Sequence, residues 1–122
     1  MDRTPKDEER EERIDNEAVV DAYDSEERAI GWHVYLDERL MFPFRARCSV
    51  ERLISPLRLG DKVEVTGMAP EEECEREMFV LTRWRGRDLA VPLAQLEGIG
   101  VDEETQEAIE DWHDWVARGY EF

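Results

Sequence analysis

A chain of 122 residues suits one domain, and its 41% hydrophobic content, with four Trp, four Phe and three Tyr, is enough for a core. Thirty-two Asp and Glu against sixteen Lys and Arg leave a net charge of −16, which argues against nucleic-acid phosphates or anionic membranes as partners and favours cations or basic proteins. No apolar run approaches the roughly 20 residues needed to span a bilayer.

Residues 1–7 are polar and expected to be disordered, leaving 8–122 as a single domain. From Glu8 to Tyr23, apolar residues recur at Ile14, Ala18, Val19, Ala22 and Tyr23, the spacing of a helix. Asp24 then stands as the cap of a second helix, with Glu27 at the reciprocal position of a capping box. That helix carries Ile30, His33, Val34, Tyr35, Leu36 and Leu40, with Trp32 also packing, and FPF stops it at Pro43. Gly31 is a point where another segment can approach closely.

The period changes at FRARCSV, where Phe44, Ala46, Cys48 and Val50 alternate with Arg45, Arg47 and Ser49, as in a half-buried strand. KVEVTG is a second strand with Val63 and Val65 inward. MFVLTRW and RDLAVPL form a hairpin turning at Arg85 and Gly86, and a short fifth strand is expected near Leu96 to Val101. Asp102 caps a final helix whose Ile109, Trp112 and Val116 share a face, with Gly119 as its stop. The fold class is therefore α+β: two N-terminal helices, a small antiparallel SH3-like β-barrel of about five short strands, and a C-terminal helix.

The acids are segregated. Residues 71–77 hold five acids and Arg76, a net of −4, and residues 102–114 hold seven acids and no base. Residues 39–58 hold five Arg and only Glu51, a net of +4. An even spread would follow from adaptation to high salt, and this distribution weakens that explanation. Neighbouring carboxylates on a loop repel one another, and a hard divalent cation relieves that repulsion; Ca²⁺ takes six to eight oxygens at about 2.3–2.6 Å. A solvated loop is the alternative, as is an acidic face for a basic protein or one that imitates nucleic acid. No EF-hand loop is present, since DEETQEAIE lacks the central Gly, so any calcium site must be assembled from separate segments.

Other constellations carry less. Cys48, Cys74, His33 and His113 match no zinc spacing, and packing accounts for Cys48 and both His. There is no G-x-S-x-G, P-loop or recognisable Cys–His pair, so no enzyme is expected. Trp112 and Trp115 read as packing, and Arg45, Arg47, Arg83 and Arg85 as partners for acids. Two cysteines make no disulfide framework and MDRTPKDEER is no signal peptide, so a cytoplasmic protein acting as a monomer is expected.

Three blocks in order, GWxxYL…L…FPF, VxGM…E…EMFV and DWxxWxxxGYEF, resemble the cyanobacterial CcbP-type calcium-binding family from about Glu8 to Phe122. The resemblance implies a small acidic protein that binds Ca²⁺ through surface carboxylates without EF-hands, as a buffer or regulator. It points to Asp37 and Glu38, the two acids after Y-L, and to the loop glutamates Glu71, Glu72, Glu73, Glu75 and Glu77 as metal ligands. The family often has aspartates early in that loop, where this chain has Ala69-Pro70 and then glutamates; His33 and Asp114 stand where it often has aromatics. The stronger position is expected where the C-terminal end of the second helix meets the loop, with a weaker one around Asp102 to Glu104.

Overall fold

The computed structural model describes residues 5–20 and 22–119; of the residues 1–7 expected to be disordered, 1–4 lie outside them and 5–7 belong to the first helix. Helix α1 (Pro5–Arg13) starts with proline, whose missing N–H costs nothing at a first helical position, and runs into a π-helical turn at Ile14–Ala18. Ile14 and Ala18 are buried, but the expected stripe does not reach Tyr23, which is 83% exposed. The reason is a close contact at Gly31. A Cβ there would lie 2.1 Å from the carbonyl oxygen of Ala18, so the chain turns against bare glycine backbone, as anticipated for that residue.

Helix α2 (Ser25–Arg39) is capped by Asp24, whose carboxylate accepts from the Glu27 N–H at 2.8 Å. Glu27 reaches back to the N–H of Tyr23 at 3.2 Å, one residue earlier than a strict capping box. Its buried residues are Ala29, Trp32, Tyr35 and Leu36, whereas Ile30 and Val34 are 43% and 45% exposed. Trp32 decides the rotation: its indole is fully buried, with ring centroids 5.0 Å from Trp112 and 5.5 Å from Tyr35 and Trp115.

Five antiparallel strands follow: β1 (Phe44–Cys48), β2 (Lys62–Met68), β3 (Phe79–Trp84), β4 (Arg87–Pro92) and β5 (Leu96–Ile99). Burial alternates along β1 and β2, with Val63 and Val65 inward, but Val50 lies past the end of β1 and is exposed. Positive φ at Arg85 (52°) and Gly86 (76°) closes the two-residue β3–β4 hairpin, with Trp84 opposite Arg87. The strand order is β4-β3-β2-β1-β5, the last strand returning to pair with the first.

The sheet is not closed into a barrel. Strands β4 and β5 are its two edges, joined by a short 3₁₀ turn at Leu93–Gln95, and α2 and helix α3 (Glu103–Ala117) cover the core that closure would otherwise seal. Asp102 caps α3 by accepting from the Thr105 N–H at 2.9 Å, and Gly119 at φ 77° ends it. Ile109 and Trp112 face the core as expected, but Trp115 takes the place assigned to Val116, which is 40% exposed.

Helix α1 is attached mainly through charge. Asp111 on α3 is fully buried and accepts from Arg10 Nε at 2.9 Å, Arg13 Nη2 at 2.7 Å, Arg13 Nε at 3.0 Å and the Tyr35 hydroxyl at 2.7 Å. Hydrogen bonding to Asp111 raises the affinity of Arg13 for its proton, and burial, reinforced by Asp111, pushes the Tyr35 hydroxyl up.

Candidate metal centre

The acidic loop is a 3₁₀ turn, Glu71–Cys74, entered through Pro70 and closed by Glu73 N–H donating to the Pro70 carbonyl at 2.9 Å. Cys74 is its buried anchor: the Phe79 N–H donates to its sulfur at 3.4 Å, and the thiol faces the Phe79 carbonyl at 3.5 Å. Burial pushes this thiol up, with the charges of Glu73 and Glu71 adding to it. With Cys74 inward, Glu71, Glu72, Glu73 and Glu75 are left exposed.

The turn faces α2. His33 Nε2 donates to the carbonyl of Ala69 at 2.8 Å, joining the helix to the residue two before the turn. Between the two elements lies a cleft of about 810 Å³, lined by Ser25, Glu26, Ala29, Ile30 and His33 on one wall and Glu71, Glu72, Glu75 and Arg76 on the other. Four carboxylates thus share one concave space with a single guanidinium.

The remaining expected ligands are placed differently. Glu77 is held by Arg52 through two hydrogen bonds of 2.8 and 3.1 Å, which tie the turn to the β1–β2 loop. Glu73 does not line the cleft, and neither do Asp37 and Glu38, both exposed on the last turn of α2. Helical spacing puts Asp37 four residues beyond His33, on the face that carries Glu26, Ile30 and His33; Glu38 is turned about 100° away. The loop therefore meets the N-terminal half of α2, not its C-terminal end. Around the weaker position, Asp102 is occupied in capping, which lowers its proton affinity, and Glu104 lies 3.7 Å from Arg39. Among the described residues, no three His, Cys, Asp or Glu form a ready-made ligand shell.

A family model described as calcium binding, that of the CcbP proteins, matches residues 12–116. The chain belongs to this family. A similar solved structure, the crystal structure of Anabaena CcbP, shares 45% identity with a TM-score of 0.85, each chain covered over 100% of its length. A second, a calcium-binding protein in its calcium-binding form, shares 44% identity with a TM-score of 0.86, again over 100% of both chains. No curated protein matches.

Glu26, Ser25 and Ile30 were not evident as site residues, because α2 and the turn are some 45 residues apart in sequence. The available signal was Glu26 standing four residues before Ile30 and seven before His33, on one helical face. The two histidines pack through their ring N–H groups, His33 to Ala69 and His113 to the Leu93 carbonyl at 3.2 Å. Cys48 is core, its thiol pushed up by burial. Arg47 pairs with Glu97 at 2.7 Å and Arg83 with Asp88 at 3.2 Å, while Arg85 stacks over Trp84.

Proposed function

We propose that this chain binds Ca²⁺ in the cleft between α2 and the Glu71–Cys74 turn, and serves as a monomeric cytoplasmic calcium buffer or regulator without EF-hands. One observation carries this reading: four carboxylates, Glu26, Glu71, Glu72 and Glu75, are brought from two separate elements into one cleft. Membership of a calcium-binding family supports it.

The ligands of choice are Glu71, Glu72 and Glu75. The first turn of α2 presents the positive end of the helix dipole, so a cation is favoured toward the glutamate wall and toward Asp37 at the other end of the helix. Long, exposed glutamates with water filling the shell suit the irregular six- to eight-fold coordination of Ca²⁺ better than the near-ideal octahedron Mg²⁺ demands. Glu73, Glu77 and Glu38 would add to the negative field without entering the shell.

Calorimetric titration of the calcium-free protein tests the assignment. Glu72→Gln and Glu75→Gln should each weaken binding about tenfold or more, roughly 1.4 kcal/mol. Asp37→Asn should weaken it less, and Glu104→Gln should leave it unchanged. Parent-like titration of both Glu72→Gln and Glu75→Gln would place the site elsewhere.

A further inference from the structure

Arg76 is the one base within the acidic run, and it lines the same cleft as Glu26, Glu71, Glu72 and Glu75. It is exposed, and among the described residues no ion pair within 4 Å holds it, unlike Arg52, which is locked to Glu77 one position beyond it. A solvated guanidinium beside unpaired carboxylates is a tethered monovalent cation. Building on the calcium reading, we infer that Arg76 is the affinity-setting residue of the cleft: it offsets part of the negative charge of the empty site and opposes a divalent ion that enters it.

The size of the cleft bounds the effect. A sphere of 810 Å³ is about 12 Å across, so a charge on the wall stands about 6 Å from an ion at the centre. At that separation a unit charge disfavours a divalent ion about tenfold in water, reduced to about three- to fourfold by screening at 0.1 M salt. A monovalent ion carries half the charge and is opposed correspondingly less, so Arg76 also lowers the preference for Ca²⁺ over Na⁺.

The test compares Arg76→Gln, Arg76→Lys and Glu75→Gln with the parent, using Ca²⁺ titration and thermal melts with and without Ca²⁺. Arg76→Gln should bind Ca²⁺ about threefold or more tighter at 0.1 M salt, with a larger gain at low salt, and Arg76→Lys should stay near the parent. The calcium-free Arg76→Gln protein should melt lower than the parent, while its calcium-induced rise in Tm should be larger. A residue that merely supported the turn would lower both. Unchanged or weaker Ca²⁺ binding in Arg76→Gln, with Glu75→Gln weakened as expected, overturns the role of Arg76 alone. If neither variant shifts binding, the calcium reading of this cleft falls with it.

Discussion

Replacing Asp111 with Asn removes one buried negative charge and should cost more stability than neutralising any surface acid in this chain. The carboxylate accepts four hydrogen bonds, three from Arg10 and Arg13 and one from Tyr35, and has no exposure to solvent. An amide keeps one acceptor oxygen and turns a donor toward two guanidinium groups, of which Arg13 also has Glu107 at 3.4 Å. Summing four charge-assisted bonds at about 1.5–3 kcal/mol would overshoot, because Asn retains part of the network. Removing one partner of a buried ion pair costs about 3–5 kcal/mol, and the partial exposure of both arginines points to the lower end, about 3 kcal/mol. For a domain of this size that lowers Tm by roughly 10 °C. Differential scanning calorimetry reads the shift, and limited trypsin digestion should cut first at Arg10 and Arg13 as α1 is released. A variant melting within about 2 °C of the parent would show that Asp111 does not hold α1.

Three further outcomes are expected. The Tyr35 hydroxyl is raised in the folded protein above its unfolded value near 10, so its contribution is complete below about pH 10 and is lost as pH rises toward the folded value. The buried thiols of Cys48 and Cys74, also raised, begin the same decline near pH 9. Tyr35→Phe should therefore melt lower at pH 8 but lose less between pH 9 and 11; parallel declines in parent and variant would refute this. Gly31→Ala gains about 1 kcal/mol of helix propensity yet should destabilise, since the new Cβ meets backbone 2.1 Å away at Ala18. Urea denaturation should show a net loss of at least about 1 kcal/mol, and a gain would contradict the contact. Finally, the chelator-treated protein should still unfold cooperatively, because its core of aromatic and aliphatic side chains is built without metal. Ca²⁺ at a hundredfold excess over Kd should then add about 2.7 kcal/mol.

Local signals carried much of this fold. Caps at Asp24 and Asp102, the Arg85–Gly86 turn and the alternation of Phe44, Ala46 and Cys48 act over a few residues, and each stands where spacing put it. Helix rotation was less legible. A stripe through Ile30 and Val34 and one through Trp32 and Tyr35 fit the same period, and only packing between helices selects the tryptophan face. Asp111 looked like one of seven solvated acids, since the arginines that bury it come from 98 to 101 residues away. The glutamate wall of the cleft was readable as a charge run, whereas the opposite wall depends on where α2 comes to rest; Asp37 and Glu38 rested on the family resemblance and on the helix end they occupy, neither of which reports where the turn packs against α2. Closure of the sheet failed as an expectation for a related reason: strand length and turn spacing do not reveal that α2 and α3 will cap the core.

An open sheet leaves two rows of backbone groups available to a neighbouring molecule, one along β4 and one along β5. The β5 row is only four residues long, and the β4 row ends at Pro92, which has no N–H to offer. Between copies of this chain the stronger safeguard is electrostatic, because edge-to-edge approach brings −16 against −16. That barrier extends only about 10 Å at 0.1 M salt and contracts as ionic strength rises. The acidity on which the proposed cation site draws thereby also sets the colloidal stability of the molecule, and light scattering across a salt series measures how far that stability depends on charge.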